Sequence, residues 1–295
     1  MKKLSLPLLS IITLATAAVS LALRIVSLFF FYDKLGYYQR GAVLPITANI
    51  FLGLAIVFLL AASILFINKK RKIQVPDKIS QYAALLPAGA SIFTAIRAIT
   101  GNLDGSSVNK YLFFLGALLS AVFFILIFIK KQPFTATVYF GLAALTYVFF
   151  LWMHAYFDFF VPINSTDKIF HYLACAGALL LIFSETCTCY GFVKPRLYFF
   201  SLFSSVVTLW VGSVSALVGF LSGAFERYVT LDGDIFFATL AVYATVRLIM
   251  LSKAPEELIE DVTEAEMAEE TENTEKANEA TNNEETQENN ANDGK

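Results

Sequence analysis

Residues 44–67 read LPITANIFLGLAIVFLLAASILFI, a run without a single charged side chain. A helix rises about 1.5 Å per residue, so crossing a hydrocarbon core about 30 Å thick takes about 20 apolar residues. This stretch is long enough to do so. An uninterrupted apolar run of this length is typical of a membrane-spanning helix.

Seven further segments of the same kind fill most of the chain before Pro255. Of its 295 residues, 57% are hydrophobic, and the mean hydropathy is +0.64. Soluble domains contain only about 45–50% apolar residues. The sequence therefore predicts an all-α, polytopic transmembrane helical bundle over residues 1–251, with helices at about 4–31, 44–67, 82–100, 111–129, 134–156, 169–187, 197–225 and 235–251.

The first apolar segment begins like a signal peptide, because Lys2 and Lys3 precede it. Its apolar run continues to Phe31. The hydrophobic region of a signal peptide is only about 7–15 residues long. The segment is therefore predicted to remain as the first membrane helix.

The end of the chain differs sharply in composition from the predicted bundle. From Glu256 onward there are 15 acidic and 2 basic residues, against 9 acidic and 20 basic before it. Such a polar segment buries too little apolar surface to offset the entropy lost on ordering. We predict a disordered acidic cytoplasmic tail over residues 252–295, which either solvates the chain or binds a basic surface, on a partner protein or in the basic loops of this same chain.

The basic residues between the predicted helices are distributed unequally. With the N-terminus inside, 13 Lys and Arg residues face inward and 5 face outward. Short loops rich in Lys and Arg stay on the cytoplasmic side. The sequence thus predicts a multi-pass protein of the cell membrane with both termini cytoplasmic, in contact with the lipid bilayer and without a nucleic-acid-binding signature.

Two arginines fall inside predicted spans, Arg24 in the first and Arg97 in the third. An ionisable side chain at membrane depth is costly, so it is usually paired or functional. Each arginine can extend its stem outward to the membrane surface. Alternatively, each pairs with a carboxylate on a neighbouring helix.

Around the third outer loop, HAYFD at 154–158 and DKIFH at 167–171 form mirror images. The spacing of four places His154 with Asp158, and Asp167 with His171, on one helix face each. Imidazole and carboxylate are ordinary Zn²⁺ ligands, so a metal site is one interpretation. We favour the other, helix capping and mutual hydrogen bonds without a metal, because residues 164–167 resemble a helix start.

Three more acidic residues, Glu226, Asp232 and Asp234, flank the last two predicted helices. The predicted topology puts them on the same outer side as Asp167 and His171. We therefore expect these groups to converge in one outer polar site.

The stretch STDKIFHYLACAGALLLIF at 165–183 resembles the Asp-Lys-x-x-His helix start of VanZ-like membrane proteins. In those proteins a later helix ends with Glu and the next begins with Asp. The matches are Asp167, Lys168, His171, Glu226 and Asp234, within roughly residues 134–251. Two usual features are missing, a Gln shortly after the Glu and an Asn four residues after the Asp.

This resemblance implies a bacterial cell-envelope protein of a family linked to glycopeptide antibiotic tolerance, without a settled reaction. The hypothesis is an outer site for a lipid or lipid-linked head group. Its candidate residues are Asp167, Lys168, His171, Glu226, Asp234, His154, Asp158, Arg24 and Arg97. The alternatives are a small-solute transporter and a membrane scaffold acting through its acidic tail; the sequence leaves enzyme activity and cofactors open.

The topology makes one testable prediction. Single cysteines introduced by Asn102→Cys and Asn164→Cys should react with an impermeant reagent from outside the cell, because both residues lie in predicted outer loops. A Gln132→Cys cysteine should react only after the membrane is opened. Labelling of Gln132→Cys in intact cells would overturn the orientation.

Overall fold

The computed structural model describes residues 5–32, 37, 39, 41–73, 75–100, 107–129, 135–158, 165–191, 193–224 and 231–255. All the regular elements in these ranges are helices. The acidic tail from Glu256 onward lies outside the described residues, and so does Glu226.

Ten α-helices and one π-helical segment make up the described fold. Prolines stand in the first turns of α1 and α8, where a missing backbone N–H costs nothing. The π segment, Trp210–Val214, joins α8 to α9 without a break. The helices are α1 Leu6–Phe31, α2 Val43–Phe66, α3 Lys78–Ala83, α4 Leu85–Ile99, α5 Ser107–Ile129, α6 Thr135–Phe157, α7 Thr166–Tyr190, α8 Pro195–Leu209, α9 Ser215–Leu221 and α10 Leu231–Lys253.

These helices supply eight spans long and apolar enough to cross a membrane, as predicted. One span, Lys78–Ile99, combines α3 and α4, and another, Pro195–Leu221, combines α8, the π segment and α9. The architecture is that of a multi-pass helical membrane protein. The spans meet lipid with many exposed apolar side chains, among them Leu54 and Val57 of α2.

Several helix boundaries differ from those predicted. Helix α7 begins at Thr166 instead of 169, because the Ser165 side chain caps its first turn. Helix α10 begins at Leu231 instead of 235, so its acidic residues belong to the first turn. The seventh span ends at Leu221 instead of 225, where the chain turns through Gly223 with φ +68°, a conformation that favours glycine.

Because the spans alternate in direction, the bundle has two polar ends. Helix α7 begins at one, which we call the Asp167 end, and finishes at the other, which we call the Glu185 end. Contacts between distant residues fix this arrangement. Arg97 of α4 meets Asp232 of α10 at the Asp167 end, and Arg196 of α8 bonds the Ile67 carbonyl at the Glu185 end.

The span that contains α8 lies at the centre of the bundle, with 78% of its most apolar window buried. Helix α2 is the most peripheral, with 22% of its window buried. The stretch 212–223 is rich in glycine and serine, and such small residues let helices approach closely. The sequence therefore predicts a central position for this span. At Gly212 an added Cβ would lie 2.6 Å from the Phe170 carbonyl oxygen and 2.8 Å from the Ala174 Cβ.

This close contact predicts that Gly212→Ala destabilises the protein. The added methyl group has to displace the backbone of α7, and such overpacking costs about 1–3 kcal/mol. The melting temperature of the detergent-solubilised protein should fall by several degrees. Gly53→Ala is the control, because a Cβ there meets nothing within 4 Å; equal melting of the two variants would contradict the packing.

Candidate functional site

The start of α7 holds three charged or titratable residues on two successive turns. The Ser165 side chain accepts a hydrogen bond from the Lys168 backbone N–H at 3.3 Å, so Ser165, within the predicted capping stretch 164–167, caps α7. The Lys168 Nζ donates to the backbone carbonyl of Asp158 at 2.6 Å. This bond ties the beginning of α7 to the end of α6.

His171 lies one turn further along and pairs with α10. Its Nδ1 is 3.2 Å from the Asp234 Oδ1, and both side chains are almost completely buried. A carboxylate oxygen accepts, so Nδ1 carries the proton and donates. The His171 Nε2 is buried without a hydrogen-bond partner among the described residues.

Asp167 and Arg24 complete the inner part of this cluster. Asp167 is buried and within electrostatic range of Asp234, Arg24 and His171. The Arg24 guanidinium lies 4.0 Å from the ring centroid of Phe170, and its Nη1 donates to the Tyr32 hydroxyl. Arg24 is 3% exposed, so its side chain is buried in the bundle.

The second arginine forms an ion pair. The Arg97 Nη1 is 3.0 Å from the Asp232 Oδ1, with Arg97 part-exposed and Asp232 buried. Asp232 stands two residues before Asp234 in the first turn of α10. The pair therefore places a second charged contact beside the His171–Asp234 pair.

The mirrored His and Asp motifs act between helices. His171 bonds Asp234 of α10, although it is only one turn from Asp167. His154 packs edge-on against Phe113 with ring centroids 5.2 Å apart and is within electrostatic range of Asp232. Among the described residues no three His, Cys, Asp or Glu side chains are placed to hold a metal ion.

The structure thus brings Asp167, His171 and Asp234 together at the Asp167 end, with Arg24 beside them. Asp232 and Arg97 lie next to this group. We call these six residues the polar cluster. Glu226, which the sequence places with them, lies outside the described residues.

A narrow cleft reaches Arg24 from the side of the bundle. It runs between α1, α2, α7 and the π segment and has a volume of about 10 Å³. The Arg24 Nε is buried without a hydrogen-bond partner among the described residues. Its lining residues are Ser20, Arg24, Ser27, Ala48, Asn49, Leu52, Phe170 and Val211.

The Glu185 end contains a second buried polar group, which sequence reasoning missed. The Tyr198 hydroxyl donates to the Glu185 Oε1 at 2.8 Å. The Arg247 Nε lies 3.0 Å from that hydroxyl and 3.4 Å from the same carboxylate oxygen. Arg247 is 1% exposed, so it lies in the interior of the bundle and not in a loop.

The two groups differ in what they can do. The Glu185 group satisfies its charges internally, which suits a structural contact. The polar cluster keeps an imidazole nitrogen and a guanidinium nitrogen without described partners. Imidazole commonly transfers protons, and guanidinium binds phosphate and carboxylate, so the polar cluster is the candidate functional site.

The chain was compared with protein-family models, curated proteins and solved structures, and none of them matches. The geometry of the polar cluster, the cleft beside Arg24 and the Glu185 group therefore carries the functional inference.

The Glu185 group generates a stability prediction. Arg247→Met leaves the Glu185 carboxylate buried without its cation, and breaking a buried pair in this way costs about 3–5 kcal/mol. The melting temperature in detergent should fall strongly, and Glu185→Gln combined with Arg247→Met should recover most of the loss. Lys253→Met, at an exposed position of the same helix, is the control; a similar small effect in both single variants would contradict the pairing.

Proposed function

We propose that this membrane protein binds the polar head group of a lipid or lipid-linked molecule at the Asp167 end. The observation that carries the proposal is the polar cluster itself. It combines carboxylates and an arginine with a buried imidazole, and it keeps the His171 Nε2 and the Arg24 Nε without partners among the described residues. Unpaired buried polar atoms are costly, so their presence favours a ligand.

The chemistry of the polar cluster suggests what the head group carries. Arg24 suits a phosphate, because a guanidinium forms two parallel hydrogen bonds with phosphate oxygens. Asp167 suits hydroxyl or amino groups, since an ionised carboxylate only accepts hydrogen bonds. A phosphate-bearing head group with hydroxyl or amino substituents satisfies both.

The cleft beside Arg24 supplies the entry in this proposal. Its present interior has room for about one water molecule, about 10 Å³. A head group therefore enters only when α1 and α2 separate. Helix α2 is the least buried span, so it is the element that moves most cheaply.

The orientation of the site follows the charge distribution. Described basic residues outside the bundle core gather at the Glu185 end, among them Lys69, Lys70, Lys194 and Arg196. The positive-inside rule then places the Asp167 end outside. In this proposal the protein is a VanZ-like component of a bacterial cell membrane, which handles its head group in the outer leaflet.

A small-solute transporter is the second candidate. The observation in its favour is that α7 and α10 carry buried charged pairs at both of their ends, His171–Asp234 and Glu185–Arg247. Such pairs can act as two gates that open in turn. Uptake of a labelled solute by proteoliposomes, with loss in Asp234→Asn and in the stability-recovered combination of Glu185→Gln with Arg247→Met, would favour transport over head-group binding.

The head-group proposal predicts a specific loss of lipid binding. In native mass spectrometry of the detergent-solubilised full chain with a polyprenyl phosphate, Arg24→Gln should weaken binding about ten- to hundredfold, because a lost charge-assisted hydrogen bond is worth about 1.5–3 kcal/mol. Asp167→Asn should weaken binding of a lipid whose head group also carries an amine.

Lys110→Gln is the matched control, since it removes a cation at the same end and outside the polar cluster. It should leave binding unchanged. Equal affinities of wild type, Arg24→Gln and Lys110→Gln for every lipid tested would overturn the proposal. Addition of Zn²⁺ or Mg²⁺ to the same spectra shows whether a metal binds in place of a lipid.

A further inference from the structure

At the Glu185 end an open cleft of about 700 Å³ lies between four helix ends. This volume is within the range of about 300–1,000 Å³ that small-molecule sites occupy. The cleft is separate from the polar cluster, because it lies at the opposite end of the spans. Its lining residues are Ser5, Leu6, Pro7, Leu65, Phe66, Ile67, Asn68, Lys69, Lys70, Arg71, Arg196, Ser252 and Ala254.

The charges around this cleft have one sign. Its lining holds the cations Lys69, Lys70, Arg71 and Arg196, and no acidic residue among those described. The helix dipoles cancel, because the N-terminal ends of α1 and α8 and the C-terminal ends of α2 and α10 all reach it. Among the described lining residues the side-chain charges are therefore all positive.

Local hydrogen bonds hold the basic segment that follows α2. The Lys70 backbone N–H donates to the Asn68 side-chain oxygen at 3.1 Å, and the Arg71 N–H donates to the Asn68 carbonyl at 3.3 Å. The Arg196 Nε donates to the Ile67 carbonyl at 3.0 Å. The cations are thus presented on a turn that is already formed, which lowers the entropic cost of binding.

One cation of the cleft is anchored in the bundle. Arg71 is 8% exposed, and its guanidinium lies 5.4 Å from the ring centroid of Phe199 in α8. Such a contact between a cation and an aromatic face is attractive. This contact holds Arg71, in the segment that follows α2, against α8.

The position of the cleft indicates which class of anion it binds. It lies where the spans end, and an apolar wall of Leu6, Leu65 and Phe66 adjoins the cations. A soluble anion would contact only the cations, whereas a phospholipid would contact the cations with its head group and the apolar wall with its acyl chains. Basic pockets between transmembrane helices bind anionic head groups in this way.

We propose that this cleft is a binding site for an anionic phospholipid, with the head-group phosphate at Lys69, Lys70 and Arg196 and an acyl chain along the apolar wall. The site lies in the leaflet opposite to the one at the Asp167 end. It is independent of the head-group function proposed for the polar cluster. A bound lipid at this place would join the ends of α1, α2, α8 and α10.

The test is native mass spectrometry of the full chain in detergent, titrated with phosphatidylglycerol and with phosphatidylcholine. Phosphatidylglycerol should bind at least tenfold more tightly, and this preference should fall as salt is raised. The combined change Lys69→Gln and Lys70→Gln should abolish most of the preference. Both lysines are exposed, so the variant should fold normally.

The matched control combines Lys72→Gln with Lys78→Gln, which removes two exposed cations at the same end but outside the cleft lining. It should keep the preference for phosphatidylglycerol. Equal binding of the two lipids, or equal loss in the cleft variant and its control, would overturn the site. Binding of a polyglutamate peptide without any lipid preference would overturn the lipid assignment.

Discussion

The lack of water in the hydrocarbon core is the constraint on which this structure depends. A charged side chain buried there is costly unless it is paired within the protein or serves a function. Helices α7 and α10 meet this requirement at both of their ends, through His171 with Asp234 and through Glu185 with Arg247. The pairs fix the register of the two helices, because sliding one helix past the other by one turn would separate both.

Buried polar groups pair at both ends of the bundle, but the pairing is more complete at the Glu185 end than at the Asp167 end. At the Glu185 end the carboxylate, the phenol and the guanidinium satisfy one another, and the group suits a role in stability. At the Asp167 end the histidine pairs with Asp234 through Nδ1, and its Nε2 has no hydrogen-bond partner in the part of the chain that the structure describes. The π segment adds to this difference, since it presses Gly212 against Phe170, the residue beneath Arg24. π-Helical turns are often found at functional sites.

The spans were predictable from the sequence because a bilayer demands long apolar segments, and only helices satisfy the backbone there. The boundaries of α7 and α10 were less so. Their first turns hold acidic residues that look like loop residues in a hydropathy pattern, whereas a serine cap and the helix dipole favour them within the helix. The order of the spans also placed Asp167 and Asp234 at one end.

Which buried polar residues pair with one another was harder to predict than the end of the bundle at which they lie. Sequence spacing suggests Asp167 for His171, but the packing of α10 brings Asp234 closer, 63 residues away in sequence. Arg247 is a similar case, since it stands near the end of its helix and close to Lys253. Its burial depends on the rotation of α10 toward α7. Tyr198, near the start of α8, was not considered from the sequence, because a tyrosine near a helix end carries no signal of a buried partner.

The most direct test of this account is the state of the His171 imidazole. The chain has only two histidines, so a ¹⁵N-histidine NMR spectrum of the His154→Gln variant reports on His171 alone. The account predicts a proton on Nδ1 in a hydrogen bond that Asp234→Asn changes and Asp158→Asn leaves as it is. A His171 signal that titrates like an imidazole in water and ignores Asp234→Asn would contradict the α7–α10 pairing.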